Sequence, residues 1–134
     1  MLDVGVVVPQ GWTGEYRGLG AAEAWARTVA IAKEADVLGF ESLWLFDHLH
    51  AEAGPGLTFE AFSSLAALAA LTQRARLGHI VICAGYRNPA LAAKTIATID
   101  VISGGRAELG IGAGWYAEEH LAYGYRFPPA RERL

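Results

Sequence analysis

Three residues that can exchange protons or bind metal ions follow one short apolar run of the sequence. The run spans Ser42 to Phe46, and Asp47, His48 and His50 come directly after it. A histidine titrates near neutral pH and can be held in one tautomer by a carboxylate, which suits proton transfer to or from a substrate oxygen. Two imidazoles in an H-x-H pattern can instead share a divalent ion. The pattern therefore predicts a proton-transfer site, a metal site or two histidines of a surface loop. Further metal ligands would have to come from His79, Glu119 or His120.

A glycine-rich segment lies where an apolar run gives way to a predicted helix. Gly110, Gly112 and Gly114 occupy the place of a phosphate-binding turn. The dinucleotide fingerprint G-x-G-x-x-G is incomplete, because its third glycine falls on Trp115 or on Ala117, depending on where the count begins. The glycines predict close backbone packing, and the pair at 112 and 114 also predicts space for a flat ligand.

Two more clusters follow the third and fourth predicted strands. Residues 83 to 87 place small residues before an aromatic and a base, and small residues at a strand end permit a bulge or a strained peptide against a ligand. An ordinary loop with an inert, buried Cys83 thiol is the alternative. Residues 115 to 120 place two aromatic rings before Glu118, Glu119 and His120. Those polar groups belong to a site, or they are solvated groups that complement the helix dipole.

The hydrophobic pattern predicts four strand-and-helix units in series. The predicted strands are Val4–Val8, Ser42–Phe46, Leu77–Cys83 and Ala107–Ile111. The first predicted helix is Ala21–Leu38, and the second starts at Thr58. The third follows an N-cap at Asn88 and ends at Gly104, and the fourth is Tyr116–Tyr123. Inward faces are predicted to include Leu38 on the first helix and Ile102 on the third. This alternation indicates a parallel sheet covered by helices, either doubly wound or part of a (β/α) barrel. In either fold, sites lie at the carboxyl ends of the strands.

Composition narrows the class of protein. The chain has 134 residues, 53% of them hydrophobic, with 11 basic and 14 acidic side chains. These values predict one globular domain and exclude a disordered chain or a nucleic-acid-coating protein. The most apolar stretch, Ala61 to Leu71, is too short for the ~20 residues of a membrane helix. A single cysteine, Cys83, and the lack of a leader-like start predict a cytoplasmic protein with neither membrane nor nucleic-acid partners.

The order of these motifs along the chain resembles that of the bacterial luciferase-like monooxygenase superfamily. Within that superfamily, the sequence is most similar to the branch of probable coenzyme F420-dependent (deazaflavin) oxidoreductases. The matching stretches are ESLWLFDHLH at 41 to 50, residues 74 to 115 with YRNPALAAK and GIGAGW, and the tail from Tyr116. The resemblance implies an α/β fold that is the N-terminal half of a (β/α)8 barrel, because complete barrels need about 250 residues. We therefore expect residues 1 to 134 to form a single partial barrel domain.

The resemblance also implies the chemistry. Coenzyme F420, or FMN as the alternative, would lie across the carboxyl rim of the strands, with Asp47 and His48 beside its reactive carbon. Hydride would pass between a small organic substrate and the cofactor, and His48 would exchange the coupled proton. The alternatives are a metal-dependent barrel hydrolase that uses His48 and His50, and a catalytically silent half-barrel.

The resemblance and the predicted strands also indicate cofactor-binding residues and partners. The resemblance places a strained, often cis, non-proline peptide near Cys83 and Ala84, and it places Gly112, Gly114 and Trp115 along the cofactor. Relatives that act on sugar phosphates have a carboxylate where this chain has Trp115, which argues against that substrate class. The first and fourth predicted strands would be unpaired sheet edges, which predicts a homo-oligomer or pairing with the missing C-terminal half-barrel.

Overall fold

The computed structural model describes residues 2–52 and 54–133. Its elements in chain order are β1 (Gly5–Val7), α1 (Ala21–Leu38), β2 (Ser42–Leu45), α2 (Ala61–Leu71), β3 (Arg76–His79), β4 (Ile82–Cys83), a 3-10 turn (Ala84–Tyr86), α3 (Pro89–Ser103), β5 (Ala107–Glu108), β6 (Ile111–Gly112), α4 (Ala117–Ala122) and α5 (Ala130–Arg133). The predicted alternation of strands and helices is confirmed. Within the described residues, no helix is both long and apolar enough to cross a bilayer.

The main sheet has the order β1-β2-β3-β5, and every pairing in it is parallel. Because the strand order follows the chain order, right-handed crossovers place all the connecting helices on one face. A doubly wound sheet would instead reverse its strand order and carry helices on both faces. The topology is therefore that of a barrel segment, with β1 and β5 as its edges.

The predicted third and fourth strands are each divided in two. β3 ends at His79, and the chain resumes pairing as β4, which lies beside β6 with Ile82 opposite Ile111. A cis peptide joins Ile80 to Val81, so its expected position near Cys83 and Ala84 is wrong by about three residues. Gly110 packs closely against this break, since a Cβ there would collide with the His79 carbonyl oxygen.

Local capping explains where the helices begin and end. α1 ends before Gly39, which has a φ of 95°, and Asn88 caps α3 by accepting hydrogen bonds from two backbone N–H groups, so both helices have the predicted bounds. The predicted start of α2 at Thr58 is wrong. The Glu60 carboxylate caps that helix instead, while the Phe59 N–H donates to the Gln10 carbonyl at 3.0 Å and holds the preceding residues extended.

The hydrophobic core lies between the sheet and its helices. Its fully buried side chains include Leu43, Leu45, Leu65, Leu68, Leu77 and Ile99. Leu38 and Ile102 are 69% and 47% exposed, so their predicted burial is wrong. Both lie in the last turn of a helix, where Asp36 and Ser103 take the buried positions.

Two charged side chains stabilise the amino end of the sheet by hydrogen bonds to backbone groups. The Asp36 carboxylate accepts hydrogen bonds from the backbone N–H groups of residues 73, 74 and 75 at 2.6–3.0 Å. Burial raises the pKa of Asp36, but these three bonds outweigh it and leave the pKa below its usual value. Arg106 donates to the carbonyls of Ala69, Thr72 and Ala75 at 2.7–3.0 Å. The amino end of the sheet is therefore held by charges that contact mainly backbone.

Candidate functional site

A cavity of about 460 Å³ lies at the carboxyl ends of the strands. Its lining residues are Asp47, His48, Ile80, Val81, Cys83, Tyr86, Gly112, Ala113, Gly114, Trp115 and Tyr116. The structure thus brings together six of the seven residues that the sequence analysis assigned to catalysis or cofactor binding. The seventh, Ala84, is absent from this lining.

Ala84 lies on a neighbouring cavity of about 240 Å³ instead. The reason is the 3-10 turn at Ala84–Tyr86. Residues three apart in such a turn lie on the same side, so Cys83 and Tyr86 face the first cavity while Ala84 and Gly85 face the second. Ala84 is therefore separated from the other six predicted site residues, and its cofactor-binding role stays a prediction.

His48 is held on one ring face and at one ring nitrogen. The indole of Trp12 stacks on the imidazole, with ring centroids 3.9 Å apart and planes inclined by 6°. Nδ1 of His48 lies 3.1 Å from Oε2 of Glu119. Among residues 2–52 and 54–133, Nε2 has no hydrogen-bond partner, and it is not an enclosed atom. Nε2 is therefore the nitrogen available to a molecule in the cavity.

Glu119 is fully buried and accepts hydrogen bonds from several donors. The Leu49 N–H donates to Oε1 at 2.7 Å, and the Tyr86 hydroxyl donates to Oε2 at 2.8 Å. Burial raises the pKa of Glu119, but hydrogen bonds from His48, Tyr86 and Leu49 more than offset this and lower it to about 2. Burial and the ionised Glu119 raise the pKa of the Tyr86 hydroxyl. Near neutral pH, the cavity therefore has an ionised carboxylate and a neutral phenol behind His48.

Asp47 does not contact the ring of His48 through any described hydrogen bond. Its carboxylate forms a bidentate pair with Arg87 at 2.5 and 2.6 Å and accepts the Cys83 N–H at 2.8 Å. Arg87 also donates to Glu60 at 3.0 Å, which links the pair to the start of α2. The interpretation that the neighbouring Asp47 orients His48 is therefore wrong, and Glu119 is the carboxylate at His48.

Two glycines form a side-chain-free part of the wall. A Cβ at Gly112 would lie 2.8 Å from Cγ2 of Val81, and one at Gly114 would lie 2.5 Å from Sγ of Cys83. Gly114 also has a φ of 75°, which disfavours other residues. Burial raises the pKa of Cys83, so its thiol stays neutral. The wall therefore has the close packing that the glycine spacing predicts, and space for a flat ligand at Gly112 and Gly114 stays a prediction.

Several residues of the site are not predicted by the sequence or lie in a different environment from the predicted one. Trp12 lies in the exit loop of β1, and a parallel sheet places that loop on the same rim as those after β2 and β3. Glu119 and His120 are fully buried, so the interpretation of them as solvated groups is wrong. The available signal is that Glu119 and His120 follow the glycine-rich segment at the carboxyl end of the fourth predicted strand.

The metal-site interpretation has little geometric support. Among residues 2–52 and 54–133, no group of three His, Cys, Asp or Glu side chains could hold one metal ion. His79 lies in the core, with its ring 5.0 Å from that of Phe62. His50 has a side chain that is 33% exposed and is not part of the cavity lining.

Sequence comparison gives a family match over almost the whole chain. The family model described as luciferase-like monooxygenase matches residues 3–134. The chain is 35% identical over 124 residues to an F420-dependent glucose-6-phosphate dehydrogenase of Kineococcus radiotolerans. This alignment covers 89% of the chain and 36% of that protein. A protein of the same name from Amycolatopsis mediterranei is 34% identical over 108 residues, covering 79% of the chain and 32% of the relative. The chain thus spans about a third of the length of these relatives.

Comparison with solved structures gives the same fold. The monooxygenase RslO1 from Streptomyces bottropensis superposes with a TM-score of 0.83 at 26% identity, over 98% of this chain and 39% of that one. An F420-dependent secondary alcohol dehydrogenase in complex with an F420-acetone adduct superposes with a TM-score of 0.79 at 24% identity, over 98% and 37% of the two chains. At that lower identity the likeness concerns the fold alone. The fold is therefore the predicted α/β half-barrel.

Proposed function

The chain belongs to the luciferase-like monooxygenase family, and from this premise we propose that it forms the cofactor rim of an oxidoreductase. In the proposed reaction, hydride passes between an organic substrate and a deazaflavin, coenzyme F420, with FMN as the alternative cofactor. The observation that carries the proposal is the placement of His48, Gly112 and Gly114 around one cavity at the carboxyl ends of the strands.

The shape of the cavity suits a flat cofactor ring. Its volume of about 460 Å³ lies within the range of small-molecule sites. Gly112 and Gly114 leave bare backbone on one side of it, so the face of a planar group can approach closely. When bound, a deazaflavin or flavin supplies the hydride chemistry, and the protein supplies position and a proton-exchanging group.

His48 is the proposed proton-exchanging group. This residue is only 9% exposed and lies in the wall of the cavity, and Nε2 has no hydrogen-bond partner within the described part of the chain. A group that is buried in this way transfers protons to a bound substrate with little competition from bulk water. Asp47 supports the site indirectly, because its carboxylate fixes Arg87 and the Cys83 N–H.

The cavity wall supports a substrate with apolar surface. Trp115 remains 64% exposed at the cavity, beside Tyr116, and Ile80 and Val81 are 40% and 47% exposed. Aromatic and aliphatic side chains contribute to binding by covering apolar ligand surface. We therefore propose a neutral organic substrate, and we expect no turnover of glucose 6-phosphate. Oxidation of glucose 6-phosphate with F420 would contradict this part of the proposal.

Cofactor binding is tested by titrating the chain separately with coenzyme F420, FMN and NAD while following the absorbance and fluorescence of each. We expect F420 or FMN to bind and NAD not to bind. Gly112→Ala, which fills the glycine wall, should weaken binding. Gly20→Ala is the matched control, since a Cβ at Gly20 meets no atom within 4 Å. Binding of NAD without binding of either flavin-type cofactor would overturn the proposal.

The role of His48 is tested by turnover, followed through the absorbance of the bound cofactor. His48→Ala should lower turnover by about 10²- to 10⁴-fold, the usual contribution of a proton-transfer group, with a smaller effect on cofactor binding. His50→Ala is the control, because His50 does not line the cavity. An unchanged rate in His48→Ala would remove His48 from the proposed chemistry.

The open sheet edges support a proposal about partners. β1 and β5 are the edge strands of the main sheet, and β6 lies at an edge of the two-stranded sheet. Val7 of β1 is 44% exposed, and Ile111 of β6 is 57% exposed. Exposed apolar edges recruit further strands. We propose that these edges pair with a second copy of the chain or with a complementary half-barrel. Size-exclusion chromatography with light scattering should show a dimer of the 134-residue chain, whereas a cooperatively folding monomer that turns over substrate would contradict this.

A further inference from the structure

We propose that Glu119 is the positioning residue that fixes the tautomer of His48 and so determines which ring nitrogen faces the cavity. This inference rests on the proposed role of His48 in proton exchange. It assigns a function to a buried carboxylate that lies 71 residues away in the sequence. Tyr86 has a secondary part, because its hydroxyl holds the same carboxylate oxygen.

The assignment follows from counting donors and acceptors around Glu119. Oε1 accepts the N–H groups of Leu49 at 2.7 Å and His50 at 3.3 Å. Oε2 accepts the Tyr86 hydroxyl at 2.8 Å and lies 3.1 Å from Nδ1 of His48. An ionised carboxylate only accepts hydrogen bonds. Nδ1 must therefore carry a proton, and the lone pair of a neutral His48 is on Nε2.

The second constraint on the ring is Trp12. The stacked indole fixes the plane of the imidazole. It does not distinguish between the two ring orientations that differ by a half-turn about the Cβ–Cγ bond of His48. In the flipped orientation a ring carbon would face Oε2, and a buried carboxylate would lose one of its donors. Glu119 therefore selects the orientation, and Trp12 limits tilting of the ring.

The tautomer gives His48 a defined chemical capacity. Its Nε2 lone pair accepts a proton from a donor in the cavity, so that an N–H bond forms at Nε2 as the O–H bond of the donor breaks. The resulting imidazolium keeps its Nδ1–H on Glu119, whose negative charge lies within 3.1 Å. The reverse transfer returns the proton to the same oxygen. The arrangement follows the logic of a buried carboxylate that orients a catalytic histidine.

A purely structural role for Glu119 is the alternative, because the carboxylate also ties the loop after β2 to α4 and to the turn after β4. The two roles differ in one observable. A structural anchor affects folding, whereas a positioning residue also sets the protonation pattern of His48. The test therefore measures the tautomer directly and needs no cofactor.

The experiment records two-bond proton–nitrogen correlation spectra of the isotope-labelled 134-residue chain near neutral pH. The His48 signals are assigned by their loss in His48→Gln. We expect neutral His48 to be protonated at Nδ1 and unprotonated at Nε2. A wild-type spectrum in which Nε2 carries the proton would overturn the inference, whether or not any variant folds.

Variants separate positioning from folding. Glu119→Gln, with a far-UV circular dichroism spectrum like that of the wild type, should lose the Nδ1–H preference of His48. Glu118→Gln is the matched control, since Glu118 is exposed and bonds only to the Tyr116 hydroxyl among the described contacts. A folded Glu119→Gln chain with an unchanged tautomer would overturn the inference. Because the spectra need no cofactor, a failure here is distinct from a failure of F420 or FMN to bind.

Discussion

The two ends of the parallel sheet both bury charged side chains, but the partners of those charges differ. At the amino end, Asp36 accepts three backbone N–H groups, and Arg106 donates mainly to backbone carbonyls. At the carboxyl end, Glu119 contacts His48 and Tyr86, two side chains that can themselves titrate. The charges at the amino end stabilise the backbone, whereas the charge of Glu119 at the carboxyl end also acts on the protonation of the side chains that it contacts.

The charged residues that stabilise the amino end of the sheet are therefore different from those that form the candidate site. The hydrogen bonds of Asp36 and Arg106 are made to backbone groups and to the Thr72 hydroxyl, none of which exchanges a proton near neutral pH. The carboxyl end leaves Nε2 of His48 without a partner among the described residues and directs it to a cavity. We therefore expect substitutions at the amino end to affect the free energy of unfolding without changing the tautomer of His48, and substitutions at Glu119 to affect both.

The largest expected effect is at the amino end. Arg106→Ala removes the donor for three buried carbonyls and should lower the free energy of unfolding by about 3–4 kcal/mol, because buried groups without partners are costly. Urea unfolding measures this loss. Arg76→Ala is the control, since its pair with Glu108 is at the surface and should contribute less than ~1 kcal/mol. Equal effects of the two variants would show that Arg106 is not an anchor.

At the carboxyl end, Glu119→Gln should lower the free energy of unfolding by about 2–3 kcal/mol at neutral pH. The folded pKa of Glu119 is about 2, below its ordinary value of 4.5. Its contribution is therefore complete above pH 4.5 and is lost as the pH falls towards 2. Unfolding measured across this range should show the two proteins converging in acid. A difference that stays constant with pH would contradict the assignment of an ionised Glu119.

A smaller effect is expected from His79, which is fully buried. Burial lowers the pKa of His79 from its ordinary value of 6.5, more than the nearby Asp47 and Glu60 raise it. The unfolded chain then binds the extra proton more readily, so stability is complete above pH 6.5 and decreases as the pH falls below it. His79→Leu should weaken this dependence between pH 7.5 and 5.5, as measured by thermal unfolding, and an unchanged dependence would contradict the prediction.

The smallest expected effect is that of Tyr86→Phe. It removes one hydrogen bond to Glu119 and should lower the free energy of unfolding by about 1 kcal/mol. The Nδ1–H tautomer of His48 should persist, because the other bonds to the carboxylate remain. Loss of that tautomer in Tyr86→Phe would mean that the phenol, and not the carboxylate alone, orients the histidine.

The sequence by itself determined the features that depend on neighbours along the chain. The bounds of α1 and α3 follow from Gly39, Asn88 and Gly104, whose effects act within one helical turn. The alternation of strands and helices, and the placement of His48 at the end of β2, follow from hydrophobic periodicity. The family resemblance adds the barrel topology, because its motifs extend over most of the chain.

The tertiary structure alone decided which groups meet across the cavity. Residue 48 and residue 119 are brought within 3.1 Å by the register of four strands and the docking of α4, neither of which a local pattern encodes. The nearest carboxylate in sequence, Asp47, is instead held by Arg87 and by the Cys83 N–H. Sequence proximity therefore suggested Asp47 as the partner of His48, and three-dimensional packing assigned that position to Glu119.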